Sequence, residues 1–335
     1  METLIGLAAV LTMAFVPMVV YALVLWWFDR YEKEPLGLIL ASFLWGAVPA
    51  VIFSIIAQVL LDVPLYLFVQ PSLGADLVSA SIIAPLTEEP FKALALLLLL
   101  LFFRREIDSP LDGILYGALV GFGFATTENT LYFLEAFGWG GIGGVLRLAL
   151  YRAFIFGLNH ALFTGCSGLG IALARTSPRW PVKIAAPIVG LGAGMVFHGL
   201  HNAGATLAGP SRWPLLISIL SDWTGVVLLL AIIVWTSLRE RIWIVRYLRD
   251  EVAEGRLPAS DHLLIQSYWR RVLERTKALL RGDLARWWRL GRYYRLATEL
   301  AFAKHRLDAF PGEPDTVRQI DRLRRQLAEL RDQMG

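Results

Sequence analysis

Seven apolar stretches, each long enough for the ~20 residues that cross a bilayer, govern what this chain can fold into. They run near Leu4–Phe28, Leu36–Leu61, Ala75–Phe103, Leu111–Phe137, Leu148–Ala174, Ile184–Leu207 and Pro214–Trp235. Stretches of this length cross as helices, which satisfy their own backbone polar groups. Of 335 residues, 56% are hydrophobic, more than a soluble domain can hide from water. The expected fold is all-α: a polytopic transmembrane helix bundle of about seven spans. The first stretch lacks a basic leader and reads as a span, not a cleaved signal peptide. A single cysteine, Cys166, excludes an intramolecular disulfide and a Cys-rich zinc site, and its small apolar neighbours point to packing.

Loop charges set an orientation. One set of loops carries Arg30 and Lys33, then Arg104 and Arg105, then Arg175, Arg179 and Lys183. The opposite set has none in Asp62–Gly74 and otherwise only Arg147 and Arg212 near helix ends. The basic set belongs in the cytoplasm, so the N-terminus is expected outside and the C-terminus inside. Residues 1–238 then form the transmembrane domain and 239–335 a small helical cytoplasmic extension. The net charge of +4 is spread over short loops and this tail and does not point to nucleic acid. In the tail, Ser260 or Asp261 is a candidate cap, followed by amphipathic helices at His262–Leu280 and Leu284–Leu307. Trp287, Trp288, Tyr293 and Tyr294 are expected to form a core of their own or to rest on the anionic inner leaflet. Past the turn Pro311-Gly312-Glu313-Pro314, apolar Ile320, Leu323, Leu327, Leu330 and Met334 suit packing on that hairpin or pairing with another chain.

Ionisable residues stand inside the apolar stretches: Glu88, Glu89 and Lys92 in the third, Glu128 in the fourth, His160 in the fifth, His198 with Asn202 in the sixth. A charge near the bilayer centre costs ~2.5–3.5 kcal/mol on insertion scales, so such groups face one another or a wet cavity. At ~1.5 Å per residue, Glu88 and His160 come roughly 16–18 Å below the outer edge, and Glu128 and His198 roughly 9 Å below it. Tilt covers the difference, so four helices can present polar groups to one cavity. Lys92 lies three and four residues from the two acids and can pair with either on a helix. One acid is then left over, which packing alone does not require. Pro85 and Pro90 remove backbone donors around the pair, an irregularity tolerated at membrane depth where it lines a cavity. Gly117, Gly121 and Gly123 would let a neighbouring backbone approach the helix of Glu128. Asn202 shares a helix face with His198, where it could orient the imidazole or bond a reacting carbonyl, with His201 slightly off that face. Gly140–Gly144 reads as a flexible outer loop, and Asp29–Pro35 as a solvated one. Glu88, Glu89, Glu128, His160, His198 and Asn202 at one depth suggest hydrolysis within the membrane.

The set resembles the PrsW family of intramembrane proteases, relatives of the CAAX-processing and bacteriocin-processing membrane proteases. The family order is Glu-Glu-x-x-Lys, Phe-x-x-x-Glu, a histidine helix, and His-x-x-x-Asn or Asp. It falls here on Glu88-Glu89-Pro90-Phe91-Lys92, Phe124 to Glu128, His160, and His198 to Asn202. The loop Asp29 to Pro35 and the segment Ser109-Pro110-Leu111-Asp112-Gly113 also look familial, and the tail lies outside the likeness. The resemblance implies endopeptidase action on membrane-anchored proteins, such as an anti-sigma factor or a similar regulator, in a bacterial cell membrane.

Two chemistries remain open. In one, Glu88 or Glu89 activates water without metal, while His160, His198 and Asn202 stabilise the oxyanion and return a proton. In the other, His160, His198 and Glu128 hold zinc, and a glutamate activates its bound water. The reading favours the first, with Lys92 beside Glu89 and Glu88 as base. Rival classes are a proton- or ion-coupled transporter, which predicts inverted repeats that these four unlike motifs lack, and a non-catalytic scaffold.

Overall fold

The computed structural model describes residues 2–31, 33–209, 211–309 and 314–333, and among them every regular element is a helix. The expected turn Pro311-Gly312-Glu313 and Met334 lie outside the described residues, as does Glu32. The chain separates into two compact units, one of residues up to Trp27 with Glu34–Ile233, the other of Phe28–Lys33 with residues from Val234 onward. The division after Ile233 comes a few residues before the boundary at 238 read from sequence, and both points lie within the apolar helix α9 (Leu215–Tyr247).

In the first unit, α1 (Glu2–Phe28) carries Val10, Ala14 and Met18 four apart, and this fully buried seam packs on Phe133, Val145 and Ala149. Its other faces leave Leu4, Leu11 and Leu23 at least half exposed, the surface that lipid covers. Helix α2 (Leu36–Trp45) continues through a π-turn at Gly46–Ala50 into α3 (Val51–Phe68). Helix α4 (Leu73–Val78) likewise continues through a π-turn at Ser79–Ile83 into α5 (Ala84–Phe102). Helix α6 (Pro110–Ala149) starts on a capping box, where Ser109 Oγ accepts from the Asp112 amide and Asp112 accepts from the Ser109 amide. That box gives a physical reason for the Ser-Pro-Leu-Asp sequence at this point.

Gly141 interrupts α6 with φ 57° and ψ −156°, outside helical geometry. The chain reverses there, so that Gly144 returns against the Ala136 carbonyl. The expected flexible loop at Gly140–Gly144 is thus a one-residue break between two antiparallel passes. A third π-turn at Leu150–Ile155 leads into α7 (Asn159–Thr176), followed by α8 (Trp180–Leu207) and α9.

Among the described residues, five helical stretches are long and apolar enough to cross a membrane, and one of them, Pro110–Thr176, holds both passes around Gly141. Helical Leu73–Phe102 carries Asp76, Glu88, Glu89 and Lys92, which is why apolarity alone does not single it out. With it, the helices correspond to the seven spans read from sequence.

Small residues bring α6 close to its neighbours. A methyl added at Gly113, Gly117 or Gly121 would lie within 2.2–2.5 Å of the carbonyl oxygens of Gly168, Thr164 and His160 on α7. On the other side, one at Gly123 would lie 1.9 Å from the Phe43 carbonyl of α2. These crossings set the register of Glu128 against His160.

The second unit contains α10 (Arg249–Ala253), α11 (Ala259–Ile265), α12 (Tyr268–Leu280), α13 (Leu284–Ala309) and α14 (Pro314–Asp332). Its core joins Ile244 and Leu248 to Tyr293, Tyr294, Leu300 and Phe302, and to Ile320, Leu323, Leu327 and Leu330 of α14. The apolar stripe of α14 is therefore used within this unit. The expected cap at Ser260 or Asp261 does not form: Pro258 precedes α11 without a side-chain cap, and Asp261 accepts the Tyr293 hydroxyl at 2.7 Å.

Candidate active site

Helix α5 runs unbroken through Pro90, so Glu88, Glu89 and Lys92 keep helical spacing and converge. Lys92 is fully buried. Its Nζ lies 3.0 Å from Glu88 Oε2, 2.8 Å from Glu89 Oε1, 3.1 Å from His160 Nδ1, and 3.8 Å from the centre of the Phe124 ring. An ammonium has three N–H donors and no acceptor, and these three partners match them. His160 Nδ1 must then accept, which places the ring proton on Nε2, 2.9 Å from Glu128 Oε2. Arg152 clamps the same acid, donating to Glu128 Oε2 at 2.6 Å and to Asn129 Oδ1 at 2.9 Å.

The two adjacent acids have different surroundings. Both Glu89 oxygens are engaged: Oε1 by Lys92 and by His198 Nδ1 at 2.9 Å, Oε2 by the Thr164 hydroxyl at 3.2 Å. Glu89 has no exposed surface, whereas Glu88 lines a cleft of about 550 Å³ together with Glu128, His160, His198 and Asn202. Since Nδ1 of His198 faces Glu89, its Nε2 faces the cleft, 3.9 Å from Glu88 Oε2. The imidazole is held flat against Phe163, with ring centres 4.8 Å apart.

All seven sequence-selected residues meet in this region. Lys92 does not choose Glu89 over Glu88; it bonds both, and the asymmetry between the acids comes from His198, Thr164 and the cleft. Asn202 does not orient His198, a task that falls to Glu89. Its Nδ2 donates instead to the Ala80 carbonyl at 2.7 Å, within the π-turn before Pro85.

Sequence reasoning missed Arg152 and Asp222, although both are charged residues inside apolar stretches and carry the same signal as the residues it chose. Asp222 Oδ2 lies 2.7 Å from His201 Nδ1, and Asn159 Nδ2 lies 3.3 Å from the other ring nitrogen. Asn159 Oδ1 accepts the His160 amide at 2.7 Å, so its NH2 is the end that meets His201. His201 is accordingly a fixed Nδ1–H tautomer on the cleft wall.

A divalent metal ion would need several of these donor atoms to converge on one point. Among the described residues one group brings three donor atoms within 4.8 Å of one another: Glu88, Glu89 and His198. The expected set of Glu128, His160 and His198 is not gathered that way, because His160 and Glu128 bond each other directly while His198 turns to Glu89. In the observed group the Lys92 ammonium already lies between the two carboxylates, so as arranged these side chains do not fit a divalent ion.

Fold and site together define an integral membrane protein with a buried acid–base cluster on a cleft among its spans. A model described as the PrsW family intramembrane metalloprotease matches residues 34–237, more than half of the chain, and the chain belongs to that family. It is 36% identical over 156 residues to Protease PrsW of Geobacillus kaustophilus, covering 44% of this chain and 58% of that protein. Protease PrsW of Bacillus subtilis is 31% identical over 150 residues, 44% of this chain and 61% of that one. The Clostridioides difficile Protease PrsW is 30% identical over 145 residues, 43% and 57% respectively. The chain thus spans about three fifths of the curated relatives it matches. No solved structure matches it.

Proposed function

We propose that this chain is an intramembrane endopeptidase that hydrolyses membrane-anchored proteins, with Glu88 as general base. The observation that carries this reading is the 3.9 Å gap between Glu88 Oε2 and His198 Nε2 on the cleft. A water bridging that gap meets two acceptors for its two hydrogens, so its lone pair faces into the cleft, toward a carbonyl bound there. On attack, the water oxygen bonds the carbonyl carbon and its proton passes to Glu88. Collapse breaks the C–N bond while Glu88 gives that proton to the leaving amine. Asn202 uses one amide hydrogen on Ala80, and its second can donate to the developing oxyanion. Glu89 holds His198, and the chain Lys92–His160–Glu128–Arg152 holds Glu88 in place.

The family description names a metalloprotease, and a metal at Glu88, Glu89 and His198 would supply Lewis acidity. The Lys92 position argues against it, and no step above uses one. Neither zinc nor the set of Glu128, His160 and His198 is needed in this reading. The basic loops favour a bacterial cell membrane orientation with the C-terminus in the cytoplasm.

The test is cleavage of a panel of single-span membrane substrates by the purified protein in liposomes, for wild type and Glu88→Gln, each with and without a strong chelator. Cleavage by wild type that is lost in the variant and indifferent to chelator is the expected result. Loss on chelation, restored by added zinc, would overturn the metal-free mechanism.

A further inference from the structure

Within the second unit, a cavity of about 290 Å³ gathers Arg271, Arg275, Arg292 and Arg295 with Arg30 and Lys33, and no described residue lining it is a carboxylate. Arg271 is the informative member. It is 6% exposed, its Nε donates to the Ile265 carbonyl, and its Nη2 is buried without a hydrogen-bond partner. Its guanidinium packs at 5.2 Å and 6.0 Å from the rings of Tyr31 and Tyr294, which supply no counter-charge. A second orphan is Arg275 Nε. That guanidinium lies 4.5 Å over the Trp287 ring, and a methyl at Gly291 would come within 3.0 Å of it, so ring and bare backbone hold it in place.

Burying a guanidinium with unmet donors beside other cations is unfavourable unless an anion completes the set. We propose that this cavity binds a phosphate group. A tetrahedral oxyanion suits several converging guanidiniums, each offering planar, paired donors. The phosphate has two chemical sources: the headgroup of an anionic phospholipid, or a free phosphate. The lipid source is favoured by the chain itself, since Arg30 and Lys33 stand between the ends of α1 at Phe28 and α2 at Leu36, both apolar helices. Trp288 on the cavity rim is 54% exposed, as expected of an aromatic at a headgroup interface. The site is independent of the protease reading and lies in a region that the family match, ending at residue 237, does not reach.

The experiment is exchange of radiolabelled dioctanoyl phosphatidic acid onto the full-length protein in detergent, competed by unlabelled dioctanoyl phosphatidic acid, dioctanoyl phosphatidylcholine or inorganic phosphate. Exchange is used so that co-purified lipid does not hide the site. Because Arg271→Ala risks unfolding the unit, the variant is Arg275→Gln/Arg292→Gln, whose positions are only partly buried. Saturable binding of about one label per chain is expected, weakened at least about 10-fold in the double variant. Competition by phosphatidic acid alone assigns the headgroup, and equal competition by inorganic phosphate assigns a free phosphate. Absence of saturable binding, equal competition by phosphatidylcholine, or unchanged binding by the double variant would each overturn the proposal.

Discussion

Glu88 and Glu89 are neighbours whose variants should both lose activity but differ in stability. Glu88→Gln keeps the shape and removes the base, so cleavage should fall about 10²–10⁴-fold, and because the amide oxygen can still accept from Lys92 at the cleft wall the melting temperature should fall less than for Glu89→Gln. Glu89→Gln should also lose activity, but through the buried Lys92 and His198 that it holds, and removing one partner of a buried ion pair costs ~3–5 kcal/mol. Parallel turnover and thermal-melt measurements separate the two, and a large melting shift for Glu88→Gln with none for Glu89→Gln would reverse the assignment. His201 and Asp222 give a subtler case, because Asp222→Asn replaces the acceptor that fixes the His201 tautomer. Loss of activity without loss of stability would show that His201 acts on the cleft, whereas unchanged turnover would leave it a packing residue. The sequence made the site residues visible because each is polar at a depth where polarity is costly. It could not divide roles between Glu88 and Glu89, since helical spacing brings both to Lys92. The distinction rests on Thr164 and His198, which arrive from other helices.

At the scale of elements, the site depends on how closely α6 and α7 pass. Gly121→Ala puts a methyl 2.2 Å from the His160 carbonyl oxygen, which cannot yield without moving the helix that carries His160. Overpacking of this kind costs ~1–3 kcal/mol, and a displacement near 1 Å costs about 10²-fold in rate. The variant should therefore fold less stably and cleave about 10–100-fold more slowly, while alanine at Gly138, which has nothing within 4 Å, should do neither. Cleavage assays on both variants check the contrast. The spans were legible because apolar length is a coarse quantity that needs no partner. The π-turns at Gly46–Ala50, Ser79–Ile83 and Leu150–Ile155 were not, since a one-residue change of helical register leaves no mark on hydropathy. The sequence places Gly141 in a flexible loop for a related reason: five residues rich in glycine look flexible, yet only one departs from helical geometry.

At the scale of the whole molecule, the unit made of Phe28–Lys33 and the residues from Val234 onward has its own core and polar nodes. Buried Glu251 accepts from Lys304, Arg256 and Arg324 at once. Glu251→Gln should destabilise this unit by about 2 kcal/mol, below the fully buried value because Arg256 and Arg324 keep contact with water. His305 adds a pH dependence. Its ring stacks on Trp243 with centres 4.0 Å apart, and the Tyr247 hydroxyl, 3.3 Å from Nδ1, donates its own hydrogen to Asp308. Burial, together with Arg239, Arg246 and Arg306, holds its pKa below the ordinary histidine value, with Asp308 opposing. A histidine lowered in the folded state leaves the unfolded chain binding more protons as pH falls below about 6.5, so stability is lost toward acid. Amide exchange in α13, measured on the full-length protein, should quicken between pH 7 and 5 beyond the intrinsic pH effect. His305→Gln, which cannot take up the proton, should flatten that added slope. If the variant kept the same slope, the acid sensitivity would have to come from another group that titrates between pH 7 and 5, since Glu251, held down at about 2, loses its contribution only below about pH 4.5, and His305 would be no more than a ring stacked on Trp243.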